Sequence, residues 1–461
     1  MKQNNSPWLT QLDQDRKVVS IEKDMTTDVV VIGGGIAGIT TMYFLLKNTN
    51  KNIILLEGGK IGHGATGHNA GQVVAEFERP LDHLVKEYGI KKAVAGLEMV
   101  QGAWDLLADI FQDIELDIPF REFIGYGGYM RIENLIGDLE TELIKSQNGL
   151  MSFPVLISRE SGWMEKIPAK FKNICTEIDA SLVSQLLDVT MEGYHAVIPE
   201  KKGTLNSALF SERLADWCLE NHKDRLNLFE KSFVQGIELR QDRPAILTDH
   251  ATILCNEVVL CTNGFENFYI HDKEGFAIDT KFHHLVQGVV GYMTGYLTDK
   301  EIAPMANKYF EKSLTDSSEG ASDFEEGKYY DMYFYVTQRK FGDDSEHKHL
   351  LAIGGPEVSL VEREIYFKEF DVPESMKVES ADFAKRHFSM DDFEDAFFWH
   401  GLMGYTRTGV RVVGPEPLDP RLMYNLGCNG VGILPSIMGA EKISRHVNGE
   451  FVEETIFDPK R

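Results

Sequence analysis

The sequence predicts an α/β protein, in which a parallel dinucleotide-binding sheet is combined with an α+β region carrying mainly antiparallel strands. Three observations predict it. At 461 residues the chain is too long for one simple core, so two domains are expected. Near the N-terminus an apolar strand runs into a glycine-rich turn and a helical stretch, and a second apolar strand then ends in an acid. Further along, FHHLVQGVVGYMTGYL, MYFYVTQRKF and HLLAIGGPE carry the alternation and the β-branched and aromatic content of sheet.

The first strand, in TTDVVVIGGGIAGITTMYFLLK, is a continuous Val/Ile run, as suits a strand buried on both faces. Gly33, Gly35 and Gly38 follow in G-x-G-x-x-G spacing, with Ile36 and Ala37 opening the helix. Glycine lets the backbone approach a pyrophosphate, and the free N–H groups and dipole of the helix attract the anion. A lone motif of this kind is weak evidence. Here NIILLE ends in Glu57, roughly 20 residues on, where a dinucleotide fold holds the adenosine ribose. A second glycine-rich loop follows at once: Gly58, then GHGATGHNAG with Gly64, Ala65, Thr66, His68, Asn69, Ala70 and Gly71. A nicotinamide cofactor has no need of it, whereas an extended FAD runs back past it.

Composition narrows the classes. A net charge of −25 argues against nucleic acid as a partner, and no apolar run approaches the ~18 to 20 residues that span a bilayer. The polar N-terminus lacks a secretory pattern and reads as a surface extension, so a cytoplasmic location is expected. Five cysteines without CxxC pairs indicate buried thiols rather than disulfides or zinc. His347 and His349 in a polar turn are weak metal candidates, and no metal is expected. Residues 313–328, rich in Ser, Gly and acids, form a candidate lid.

DVVVIGGGIAG, LLEGGKIGHGATGHNAGQV, VVLCTNGF, WHGLMGYTRTGVRVVG and YNLGCNGVGILPSIMGAEKIS together resemble the D-amino-acid-oxidase-like superfamily of FAD oxidoreductases, closest to its amine and γ-glutamylputrescine-oxidase-like branch. The resemblance covers most of the chain. It implies a Rossmann-like, glutathione-reductase-type FAD domain from residues 1–80, 201–270 and 400–461, interleaved with a substrate domain from 81–200 and 271–399. It also implies cofactor contacts at Val234 beside adenine, at Thr262, Asn263 and Gly264 over the pyrophosphate, and at Gly430, Val431 and Gly432 before a helix facing the flavin.

His68 stands where most similar members carry Arg, in G-A-S-G-R-N-x-G, while a dimethylglycine-dehydrogenase-like subset tethers flavin through the His of T-W-H-A-A-G. Two readings follow: a covalent link through His68, or a hydrogen-bonded contact. Gly401 occupies the register of the cysteine that tethers flavin in other members, so a cysteinyl link is not expected. In amino-acid-oxidizing members G-L-R-P-x-T-x-D-G-x-P supplies an Arg that grips the substrate carboxylate. GLMGYTRTGVR has Met403 there, Thr408 at the Asp and Arg411 at the Pro; Arg407 and Arg411 read as surface salt-bridging residues, the alternative being that one of them replaces the clamp from a shifted position.

Without that clamp, the resemblance implies an FAD-dependent amine oxidase or dehydrogenase, which takes a small amine to an imine by hydride transfer and passes electrons to dioxygen or a carrier. Alternatives are oxidation of an N-methyl amine, amino acid or 2-hydroxy acid, and a flavin-bearing assembly subunit without catalysis. Substrate-wall candidates are His283 or His284, Tyr333 or Tyr335, and Trp399.

Overall fold

The computed structural model describes residues 4–278, 286–299, 305–311, 329–330, 333–342, 348–360, 366–390 and 394–459. The first apolar strand, Val29–Ile32, lies at the centre of a six-stranded sheet. It pairs in parallel with Ile53–Leu56 and Glu257–Leu260, which are flanked by Leu226–Phe229 and Leu422–Leu426; only Val412–Pro415 joins antiparallel. Its side chains alternate between two cores. Val29 and Val31, with Ile53, Leu55 and Val259, pack on the helices Ile36–Asn48 and Ile433–Val447. Val30 and Ile32, with Ile54, Leu56 and Val258, pack on Ile237, Ile246, Ile253 and Ile270. Those residues belong to a five-stranded sheet that covers the other face. Burial on both faces is why the run reads as unbroken Val and Ile instead of alternating with polar residues.

The alternating segments form strands Val286–Thr298, Phe334–Phe341 and Lys348–Ser359 of an eleven-stranded sheet, mutually antiparallel where they pair. Glu394–Thr406 lies at one edge of this sheet, and Phe120–Tyr129 and Ala196–Leu205 continue it on the other side. Gln72–Val74, Ala196–Leu205 and Glu394–Thr406 all belong to it. The sheet thus draws residues from both sides of the expected breaks at 80, 200 and 400. One region packs on Glu374–Phe388 through Phe334 and Phe383, whose rings stack with centroids 4.3 Å apart.

The N-terminal segment is not the expected surface extension. Its polar composition conceals three apolar anchors, Trp8, Leu12 and Ile21, all buried. Ser6 caps the short helix Pro7–Thr10 by accepting from the Trp8 N–H, Trp8 meets Trp399 edge to face, and the Arg339 guanidinium lies 4.9 Å from the Trp8 ring centre. Among the described residues no helix is long and apolar enough to cross a membrane. Truncating Trp8 empties a site between the segment and the large sheet. Trp8→Ala is expected to cost about 3 to 5 kcal/mol, measured as a lower denaturant midpoint at unchanged slope.

Candidate active site

The parallel strands end together at Ile32, Leu56 and Leu260, and a cavity of about 780 Å³ opens beyond them, as expected at the carboxyl edge of such a sheet. The glycine turn forms its floor. Gly33 sits at φ +111°, and a Cβ on Gly38 would lie 1.8 Å from the Gly33 carbonyl oxygen, so helix Ile36–Asn48 can approach only with glycine there. The second loop locks onto this helix, with Thr66 Oγ1 accepting from the Ile36 N–H at 2.9 Å. Glu57 accepts from the Gly34 N–H at one oxygen and the Gly59 N–H at the other, both at 2.6 Å. Burial pushes its carboxyl up, against the pull of those two N–H groups. Each oxygen keeps acceptor capacity for a ribose hydroxyl.

His68 is half-buried on the cavity wall. Its Nδ1 lies 2.9 Å from the Gly64 carbonyl, and burial lowers its pKa from 6.5 to about 4. The ring is therefore neutral near pH 7; Nδ1 carries the proton donated to Gly64, and Nε2 keeps its lone pair. Gly401 backs the loop closely, since a Cβ there would lie 2.3 Å from the His68 carbonyl oxygen. That contact leaves no room for a cysteine at 401.

Another part of the wall is acidic and aromatic. After strand Gln72–Val74 the chain continues with alternating residues, so that Gln72, Val74, Glu76 and Glu78 all line the cavity while Val73, Ala75 and Phe77 face the core. Glu78 accepts from the Tyr333 hydroxyl at 2.8 Å, and Glu357 from the Tyr405 hydroxyl at 3.2 Å. Glu357 sits in register with Gly291, which is itself opposite Gly401, and both glycines line the cavity beside it. Burial first, and the Glu78 charge second, push the Glu357 carboxyl from 4.5 up to about 8. Lys308 faces Glu76 at 2.5 Å; burial, the largest single influence, opposes its charge, but Glu76 together with Tyr333, Glu200 and Glu78 outweighs it and holds the ammonium well above its ordinary range.

Most of the residues expected at the cofactor reach this cavity: Gly33, Gly35, Ile36, Ala37, Glu57, Gly58, Gly64 to Thr66, His68 to Gly71, Val234, Thr262, Asn263, Gly401 and Gly430 to Gly432. Gly38 and Gly264 do not. Gly38 serves the helix contact, and Gly264 packs under Val286. Of the wall candidates, Tyr333 and Tyr335 line the cavity. Trp399 does not, because its ring is fully buried against Trp8 and its N–H points to the Asn69 carbonyl. His283, His284, His347 and residues 313–328 lie outside the described residues. His349 pairs with Thr298 in the large sheet, and among the described residues no cluster suits a metal. Arg407 is exposed, but Arg411 is buried at the cavity instead of salt-bridged on the surface. The cysteines are free, with Cys175 and Cys428 only partly buried and Cys428 on the cavity wall.

Sequence reasoning missed Glu76, Glu78, Lys308 and Glu357. The period-two spacing of acids in AEFERP, directly after the second glycine loop, was the available signal for the first pair.

A dinucleotide turn, a ribose acid and a cavity walled by a second sheet define a flavin-dependent oxidoreductase. A family model described as FAD dependent oxidoreductase (DAO) matches residues 28–445, and the chain belongs to that family. Stretches of 135 and 103 residues are each 30% identical to a putative Rieske 2Fe-2S iron-sulfur protein of Bacillus subtilis (strain 168) and to gamma-glutamylputrescine oxidoreductase of Escherichia coli (strain K12). These cover 29% and 22% of this chain, and only 26% and 24% of those proteins. The fold is similar to that of glycine oxidase from Geobacillus kaustophilus (TM-score 0.63, 16% identity, 95% of this chain and 99% of that one). It is equally similar to that of L-proline dehydrogenase from P. horikoshii (TM-score 0.63, 13% identity, 93% and 95%). FAD is the cofactor, and the glycine floor, the Glu57 carboxylate and the cavity fit it.

Because Glu357 holds its proton more tightly when folded, its contribution to stability is complete below about pH 4.5 and is lost as pH rises through about 8. The cofactor-free chain is expected to lose urea resistance between pH 5 and 8.5, and Glu357→Gln to lose less over the same interval. Equal slopes for the two proteins would show that Glu357 does not hold this proton.

Proposed function

We propose that this protein oxidizes a small amine at the carbon next to nitrogen, giving an imine that water hydrolyses to a carbonyl compound and an amine. The observation that carries this reading is the wall formed by Glu78, Glu357, Tyr333 and Tyr335, with Tyr405 donating to Glu357 and with Met403 where the resembling amino-acid oxidases place an arginine. Carboxylates backed by tyrosines attract an ammonium group, and aromatic faces add cation–π attraction. Beside Glu357 a substrate carboxylate would meet two acids, since of the cations lining the cavity Lys308 is paired with Glu76, Lys368 donates to the His63 carbonyl, and Arg411 neighbours Cys261 on the glycine-turn side. Amino acids and 2-hydroxy acids are thus disfavoured.

Bound FAD supplies the hydride acceptor for the amine carbon. The protein's own part is to attract, orient and deprotonate. Glu78 holds the incoming ammonium, whose charge favours loss to solvent of the proton that Glu357 carries below about pH 8, and the carboxylate so formed then receives the ammonium proton. The names of the relatives, gamma-glutamylputrescine oxidoreductase among them, support an amine or amino-acid substrate. Electrons leave to dioxygen or to a carrier.

Anaerobic bleaching of the flavin tests the reading. Primary amines and polyamines are expected to bleach it, sarcosine and 2-hydroxy acids much less. Glu78→Gln is expected to raise the amine concentration needed by about 10- to 100-fold, the value of one charge-assisted hydrogen bond. Bleaching by hydroxy acids alone would reject an amine donor.

We further propose that His68 contacts the flavin without a covalent bond. The loop reads G-A-T-G-H-N-A-G, keeping Asn69 and the glycine frame of the contact class. On acid precipitation the yellow colour is then expected in the supernatant, whereas colour in the pellet would mark a tether.

A further inference from the structure

Arg411 is 5% exposed, and it lines the cavity beyond the strand ends. Its Nε donates to Asn425 Oδ1 at 2.6 Å and its Nη2 to the Asn425 carbonyl at 2.9 Å. Asn425 in turn donates to Thr41 Oγ1 and to the Ser436 carbonyl, at 3.2 and 3.1 Å. One residue therefore ties the guanidinium to both helices, Ile36–Asn48 and Ile433–Val447, whose N-terminal ends face this cavity. Among the described residues Nη1 has no hydrogen-bond partner, and Arg411 has no ion pair. The nearby ionizable groups are the Cys428 and Cys261 thiols, and burial lowers the arginine from 12.5 to about 10.

A desolvated guanidinium without a counter-charge is costly, and its cost is offset only when an anion arrives. We propose that Arg411 supplies the counter-charge for the diphosphate of bound FAD, completing an anion site that the glycine turn alone leaves half built. Two helix N-termini and one unneutralized guanidinium converge on the same cavity, and all three favour negative charge. The diphosphate is favoured over the reduced flavin ring on two grounds. It is anionic in every redox state, so it neutralizes Arg411 whenever the cofactor is bound. Arg411 also neighbours Cys261, whose carbonyl oxygen lies 2.6 Å from where a Gly33 Cβ would be, which is the glycine-turn side of the cavity. The fork geometry of arginine suits a diphosphate better than a lysine would.

The test compares Arg411→Met and Arg411→Lys with the parent, using full-length chain produced without flavin so that the outcome does not depend on how His68 meets the ring. ADP serves as a diphosphate probe lacking flavin, and adenosine as its uncharged control. Arg411→Met is expected to bind ADP and FAD about 10- to 100-fold more weakly. Adenosine affinity should hold, the thermal midpoint of the cofactor-free chain should hold or rise, and the lysine variant should recover part of the ADP affinity. A lower midpoint with unchanged ADP affinity would make Arg411 a structural strut and overturn the proposal. So would unchanged ADP affinity with a shifted flavin reduction potential, which would assign the cation to the ring. Should the methionine variant not fold, Arg411→Gln repeats the comparison.

Discussion

The structure depends on one loop whose carbonyl groups are satisfied by side chains from elements far apart in sequence. Within residues 62–71, Gly67 accepts from Ser6, Thr66 from Ser207, Asn69 from both Trp8 and Trp399, and Ala70 from Thr337. Thr66 also accepts the Ile36 N–H that opens the first helix. Buried backbone carbonyls without partners are costly, so the loop can hold its shape only when the N-terminal segment, two helices and the large sheet are all in place. The glycines at 67 and 71 let the backbone itself, instead of a side chain, come close to these partners: a Cβ at 67 would lie 2.5 Å from Leu9 and one at 71 would lie 3.2 Å from Trp8. Where another chain would put a helix cap or a strand, this one has a junction, and the cavity wall follows from it.

The two sheets meet at that junction, which explains what was legible in the sequence. Local signals were reliable where one rule dominates. The G-x-G-x-x-G turn, the buried Val/Ile strand and the acid at Glu57 are nearest-neighbour chemistry, and the alternating segments became antiparallel strands at the expected places. Signals failed where distant packing decides. Trp399 looked like a wall residue because it is aromatic and near the glycine-rich C-terminal stretch, yet it is buried against Trp8, and nothing local announces that a polar N-terminal segment returns to cover it. Arg411 looked like a surface cation for the same reason. Its burial is decided by Asn425, 14 residues further along. Glu357 was hidden at the end of HLLAIGGPE, where a terminal acid ordinarily marks a solvated turn, and only the pairing with Gly291 brings it to the cavity.

The charges of the cavity are divided. Helix N-termini and Arg411 make one region attractive to anions, and Glu78 and Glu357 make another attractive to cations. Such a division costs little when both regions are filled, but the acidic one is a problem when it is not. Two carboxylates near each other in a desolvated wall cannot both ionize cheaply. A proton kept on Glu357 resolves this, while Tyr333 and Tyr405 donate to Glu78 and Glu357. An arriving ammonium changes the balance, because its charge favours ionization of Glu357 and the displaced proton must leave. A neutral or anionic ligand offers no such exchange. On the proposed amine reading the pair would discriminate by charge through its own titration: a cationic ligand offsets the cost of ionizing Glu357, and a neutral or anionic one does not.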